Sequence, residues 1–161
     1  MLYHGSTHFI ADKLEPRVSY ACKSLVYATD DYFYALVRAG YFDMRKFMIK
    51  EDYDGANVPF RLVEIVPGAF KYAFDRPGYI YEVEDEMFIS SPDVNEFVSE
   101  HMVTISKTIL IPNVFEEMMK HPEHYELIYY DEADSYWPTV RGGKDGYLER
   151  RRNRIKRIGL V

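Results

Sequence analysis

Close to the amino terminus, MLYHGSTHF sets an imidazole, a glycine and a hydroxyl side by side at His4, Gly5 and Ser6. An imidazole can donate or accept a hydrogen bond near neutral pH, and a glycine lets a ligand approach the backbone. Other chemically capable residues are dispersed: Tyr27 in VYAT, Glu96 in NEFVS, and His121 and His124 in HPEHYE. Taken singly, each has a plain reading. A histidine in a terminal strand is commonly a hydrogen-bonded structural residue, Tyr27 is one of 15 tyrosines, and Glu96 suits a solvated turn. In YEVEDEM, strand alternation puts Glu82, Glu84 and Glu86 on one exposed hairpin face.

Several chemistries are excluded by spacing. The His121 and His124 pair has Pro122 between its members and no third His or Cys close by, so no metal site is expected. The run Arg141-Gly142-Gly143-Lys144 is too short for a phosphate-binding loop and follows no apolar strand. Cys22 is the single cysteine and has no His near it in sequence, which reads as a small buried hydrophobe rather than a nucleophile. With no internal disulfide, no secretory leader and no apolar run near the roughly 20 residues that span a bilayer, a cytoplasmic protein without a membrane partner is expected.

The elements that must position these residues follow from local pattern. The 161 residues are the size of one domain. LYHGS reads as a strand ending at Gly5, HFIADKLEPR as a loop, and SLVYATDD as a strand ending at Thr29 or Asp30, either of which suits a helix N-cap. DYFYALVRAG then reads as a helix stopped by Gly40. From residue 60 the texture is β, with strands expected in FRLVEIV, AFKYAF, GYIYEVE, MFIS and VTISKTILIP. NVFEEMMKHP reads as a short helix capped by Asn113, and YELIYYDEA as a strand or helix. This order is α+β rather than doubly wound.

Charge divides the chain. Net charge is −6, yet residues 141–161 carry eight Lys or Arg against two acids, leaving −12 on the first 140. We therefore expect a domain over 1–133, followed at 134–161 by a hinge and a basic helix packed on or extending from it. Leu148, Ile155 and Ile158 give that helix an intermittent apolar side for docking; its arginines also admit a nucleic-acid contact.

Tyr3-His4-Gly5-Ser6, Val26-Tyr27-Ala28-Thr29 and Asn95-Glu96-Phe97-Val98-Ser99, in that order and each at an expected strand end, resemble the His–Tyr–Glu signature of the ADP-ribosyltransferase superfamily. The branch resembled is that of diphtheria toxin and poly(ADP-ribose) polymerases. The wider pattern over about residues 1–120, with its LEP turn and GYIYEV strand, is similar to small bacterial and phage proteins of this fold.

The resemblance implies a split β-sheet fold with flanking helices and a cleft for NAD, consumed as substrate. It implies that His4 donates to the adenosine ribose, that the backbone of Gly5 meets the carboxamide, and that Tyr27 stacks on the nicotinamide. Tyr32 or Tyr34 would complete that sandwich, Ser6 would contact a ribose, and Glu96 would be the catalytic carboxylate, with Glu100 as the fallback one turn on. Cleaving the nicotinamide–ribose bond makes an oxocarbenium-like ribose, and a carboxylate beside it stabilises the developing charge.

The implied activity is NAD-dependent ADP-ribosyl transfer or NAD hydrolysis, with the acceptor left open. Alternatives are an inactive nucleotide- or ADP-ribose-binding module, or an enzyme like the RNA 2′-phosphotransferases, for which Arg17 and Lys23 are the nearby basic residues. Val94 stands where the arginine-modifying branch has a first glutamate, which argues against an arginine target.

Overall fold

Residues alternating between two faces build β1 (Leu2–Ser6), the strand that organises everything around it. A computed structural model describes residues 1–18, 23–43, 46–50, 59–91 and 96–157. Cys22, Val94, Asn95 and Ile158 lie outside those residues, and so the readings placed on them do too.

After β1 come β2 (Lys13–Leu14), β3 (Arg17–Val18), β4 (Ser24–Ala28) and α1 (Tyr32–Ala39). β5 (Phe47–Lys50), β6 (Phe60–Glu64), α2 (Ala69–Phe74), β7 (Gly78–Val83), β8 (Ile89–Ser90), β9 (Phe97–Ser99) and β10 (Val103–Ile111) follow. The chain continues through α3 (Val114–Met119), β11 (Tyr125–Ile128), 3-10 turns at Tyr130–Ser135 and Trp137–Thr139, and α4 (Gly143–Arg157).

The fold is mixed α and β. One sheet has the order β1-β7-β10-β2, a second β3-β4-β9-β8, and both are antiparallel. A third sheet, β11-β6-β5, joins β11 to β6 in parallel. Tyr3 and Thr29 exchange backbone hydrogen bonds of 2.7 and 2.9 Å, so the outer edge of β1 is tied to the end of β4.

Each face of the first sheet is covered differently. On one side, Ile80 packs into a core of Ala35, Leu36, Val37, Phe70, Phe74, Val114 and Met118 from the helices. On the other, Leu2, Tyr81 and Val83 meet Val26 and Ala28 of the second sheet. α1 is buried over most of its circumference, which is why its sequence looked apolar on two faces. Its N-cap is Asp31 rather than Thr29 or Asp30: the carboxylate accepts the amides of Phe33 at 2.8 Å and Tyr34 at 3.2 Å.

AFKYAF departs from its β reading and forms α2. The signal for a helix was present in the i, i+4 pairs Ala69/Ala73 and Phe70/Phe74, all buried, with Lys71 and Tyr72 outside. Gly68, at φ 73°, turns the chain into the helix, and the buried carboxylate of Glu64 accepts the Phe70 amide at 2.9 Å. The same carboxylate accepts the Tyr130 amide at 3.0 Å, fastening the segment after β11 to the core.

Glu82, Glu84 and Glu86 do not share a strand face, because β7 ends at Val83; Glu82 alone is on the strand, paired with Lys107 at 3.1 Å. Residues read as the start of a hinge are built into packing instead: Tyr136 and Trp137 are buried with Val63, Ile65, Ala133 and Tyr147. α4 therefore docks through Tyr147 and Leu148. Its Arg151 lies over the Tyr147 ring at 5.2 Å, and Arg150 donates to the Arg141 carbonyl at 2.8 Å. Among the described residues, no helix is long and apolar enough to cross a membrane.

Candidate functional site

Alternation along β1 sends Tyr3 and Gly5 towards α1, and Leu2, His4 and Ser6 to the opposite face. The register agrees, since His4 is opposite Tyr81 and Ser6 opposite Tyr79, both on that second face. A Cβ at Gly5 would come within 2.6 Å of the Ala39 amide and overlap the Ala35 carbonyl, so α1 crosses β1 at this glycine. Because Tyr3 spends its amide and carbonyl on Thr29, the amide and carbonyl of Gly5, two residues on, point off the same outer edge.

His4 and Ser6 open into a cleft of about 630 Å³. Its other walls are the segment from Phe9 to Glu15, Arg17 and Val18 of β3, and Leu25 to Tyr27 of β4. This is the size range of pockets that hold drug-sized or nucleotide-sized ligands. The structure thus brings His4, Ser6, Tyr27 and Arg17 to one place.

The His4 ring is fixed by its Nδ1, 2.7 Å from the Tyr27 carbonyl. A carbonyl only accepts, so Nδ1 carries the hydrogen and Nε2 of the neutral ring presents a lone pair. Burial lowers the His4 pKa below its ordinary 6.5; the Tyr27 carbonyl opposes this, and the charges of Arg38 and Arg17 reinforce it. Near neutral pH the ring is uncharged and acts as an acceptor through Nε2.

Tyr32, Tyr34, Glu96 and Glu100 lie outside the lining of the cleft. Tyr34 is 3% exposed and faces the core, its ring 5.5 Å from Phe60. Tyr32 sits edge-on to Tyr3 at 5.6 Å, on the helix side of β1. Glu96 stands one residue before β9, next to the Phe97–Ala28 pair, where its carbonyl accepts the Ser91 amide at 3.0 Å. It is 6% exposed and is not among the residues lining the cleft. Alternation from Val98, which is opposite Tyr27, puts Glu96 on the same sheet face as that tyrosine, two positions along. Glu100 is exposed just past the strand.

The segment after β1, which has no clean periodicity, supplies what the motif reading missed. Tyr81, fully buried, accepts the Ile10 amide at 2.6 Å and donates to the His8 carbonyl at 2.9 Å, pinning that wall to the sheet. Only the burial of a tyrosine hydroxyl, which demands a partner, hinted at such a clasp.

His121 and His124 belong to a separate aromatic group: His124 stacks on Phe33 with centroids 3.5 Å apart, and His121 lies 5.1 Å from the same ring. Among the described residues, no three His, Cys, Asp or Glu side chains converge as a metal site. No protein-family model, curated protein or solved structure matches this chain.

Proposed function

We propose that the cleft between β1 and β4 binds NAD and that the protein transfers ADP-ribose from it, or hydrolyses it, within an ADP-ribosyltransferase-like fold. The observation that carries this reading is the bond from His4 to the Tyr27 carbonyl. It joins two of the three motif strands at one wall of a nucleotide-sized cleft, beside the outward-directed backbone of Gly5. In this arrangement Nε2 of His4 accepts a ribose hydroxyl hydrogen, the reverse of the donor role the resemblance implies. Arg17 supplies positive charge for the pyrophosphate, Ser6 a second hydroxyl, and Tyr27 an aromatic face.

In the reaction, the bond between nicotinamide and ribose breaks and its electron pair leaves with nicotinamide. The cationic ribose carbon is captured by an acceptor hydroxyl or water, which gives up its proton. Glu96 would hold the ribose hydroxyl beside that cation. Its burial outside the cleft lining favours a second reading, a module that binds NAD or ADP-ribose without turning it over.

Calorimetry with NAD and an assay of nicotinamide release in the presence of a panel of protein and nucleic-acid acceptors, on wild type and Glu96→Gln, separate these readings. Transfer or hydrolysis predicts binding by both proteins and release by wild type alone. Binding with no release by wild type selects the module, and absence of NAD binding overturns both.

A further inference from the structure

The most exposed large hydrophobic side chain of the cleft is Phe9, which is 64% accessible. Leaving a phenyl ring in water forgoes about 2 kcal/mol of burial, and here the ring has not simply been left on a loose loop. Tyr81 holds the residues on either side of it, His8 and Ile10, by their backbones. Phe9 also leans edge-on against Tyr79, with centroids 5.7 Å apart and planes at 62°. Tyr79 in turn stacks on Tyr81 at 6.3 Å and 11°. The ring is therefore held at the wall of the cleft, along the same sheet face as His4 and Ser6, while one face of it stays open.

We infer that Phe9 is the platform on which the adenine ring of the ligand stacks, with Tyr81 as the positioning residue that holds it there. This rests on the NAD reading above and assigns the end of the ligand to which each wall belongs. His4 takes the ribose hydroxyl, Phe9 lies five residues further along the chain and meets the adenine, and Tyr27, whose carbonyl holds the His4 ring, meets the nicotinamide end from β4. An aromatic ring with a free face is matched by a planar base, because stacking gains area and dispersion without requiring the base to shed specific hydrogen bonds. Arg17, which lines the same cleft, is matched by the pyrophosphate that joins the two ends of the ligand.

The test uses three probes: NAD, ADP-ribose, which keeps the adenine and lacks nicotinamide, and nicotinamide mononucleotide, which lacks adenine. Loss of one aromatic platform costs a stacked base roughly tenfold in affinity. Phe9→Ala is expected to weaken NAD and ADP-ribose by about that factor and to leave nicotinamide mononucleotide within about twofold of wild type. Tyr81→Phe, which removes only the clasping hydroxyl, should shift the same two ligands in the same direction. The Phe9→Ala/Tyr81→Phe double variant should lose less than the product of the single losses, because both act through one ring.

Wild type and Phe9→Ala binding NAD equally well would overturn the inference while leaving the NAD reading standing. Equal weakening of all three probes would also overturn it, since the ring would then shape the cleft as a whole. Failure of wild type to bind NAD or ADP-ribose would bring down both.

Discussion

Successive residues of β1 belong to two different regions of the molecule. On one face, Gly5 is pressed against the backbone of α1 and Tyr3 packs against Tyr32; on the other, His4 and Ser6 line an open cleft. The helix face is close-packed, where any added atom displaces main chain. The cleft face is open, and apolar side chains line the cleft together with the charged groups Asp12, Lys13, Glu15 and Arg17. A run of four residues therefore has two environments, close packing against α1 at the odd positions and an open cleft at the even ones.

This difference can be broken from the helix side first. Phe74→Ala, deep in the core beside Phe47 and Phe70, should cost about 4 kcal/mol of stability, read from the midpoint of urea unfolding. Gly5→Ala should cost about 3 kcal/mol, although it adds one methyl, because the Ala35 and Ala39 backbone atoms it meets cannot turn aside as a side chain would. A loss below about 0.5 kcal/mol for Gly5→Ala, the range of an ordinary surface change, would mean that α1 does not cross β1 as described.

On the cleft face the expected stability effects are smaller and the ligand effects larger. For His4 the sign follows from its lowered pKa. Between the folded value and the ordinary 6.5, the unfolded chain binds the proton more readily than the folded one. Stability due to this ring is intact above pH 6.5 and falls as pH drops below it. Unfolding of wild type and His4→Gln compared across that window should show wild type losing ground on acidification; a gap that widens in its favour instead would contradict the burial of the ring. Ser6→Ala is the mildest change, within about 0.5 kcal/mol in stability, with its effect confined to affinity for a ligand in the cleft.

The same contrast explains what was legible in the sequence. β1 was visible because its residues alternate, β4, β7 and β10 because they are short runs rich in aliphatic, β-branched and aromatic residues, and α3 because Asn113 caps it, its Oδ1 accepting the Glu116 amide at 3.0 Å. α2 was hidden because its six residues, aromatic or small apart from Lys71, satisfy a strand pattern as readily as a helical one. What decided it was tertiary: a left-handed Gly68 and a buried Glu64 carboxylate contributed from a neighbouring strand.

At the site, the convergence of His4, Ser6 and Tyr27 could be anticipated, since each falls at or near a strand end. The orientation of Tyr34 could not, because α1 is buried on nearly every side and its sequence does not say which aromatic faces the core. The wall carrying Phe9 was illegible for a different reason: its hydrogen bonds go to Tyr81, 71 residues away from Ile10. Irregular backbone held by a distant side chain leaves no local period to read.

The central claim is that the His4 side of β1 meets the ligand while the Gly5 side carries the fold. Calorimetric titration of NAD into wild type and His4→Ala, with the urea midpoint determined on the same samples, tests it most directly. The predicted result is binding by wild type, at least about tenfold weaker binding by His4→Ala, and a stability change near 1 kcal/mol, the worth of one hydrogen bond. Equal affinity in the two proteins, or no binding by wild type, would contradict it.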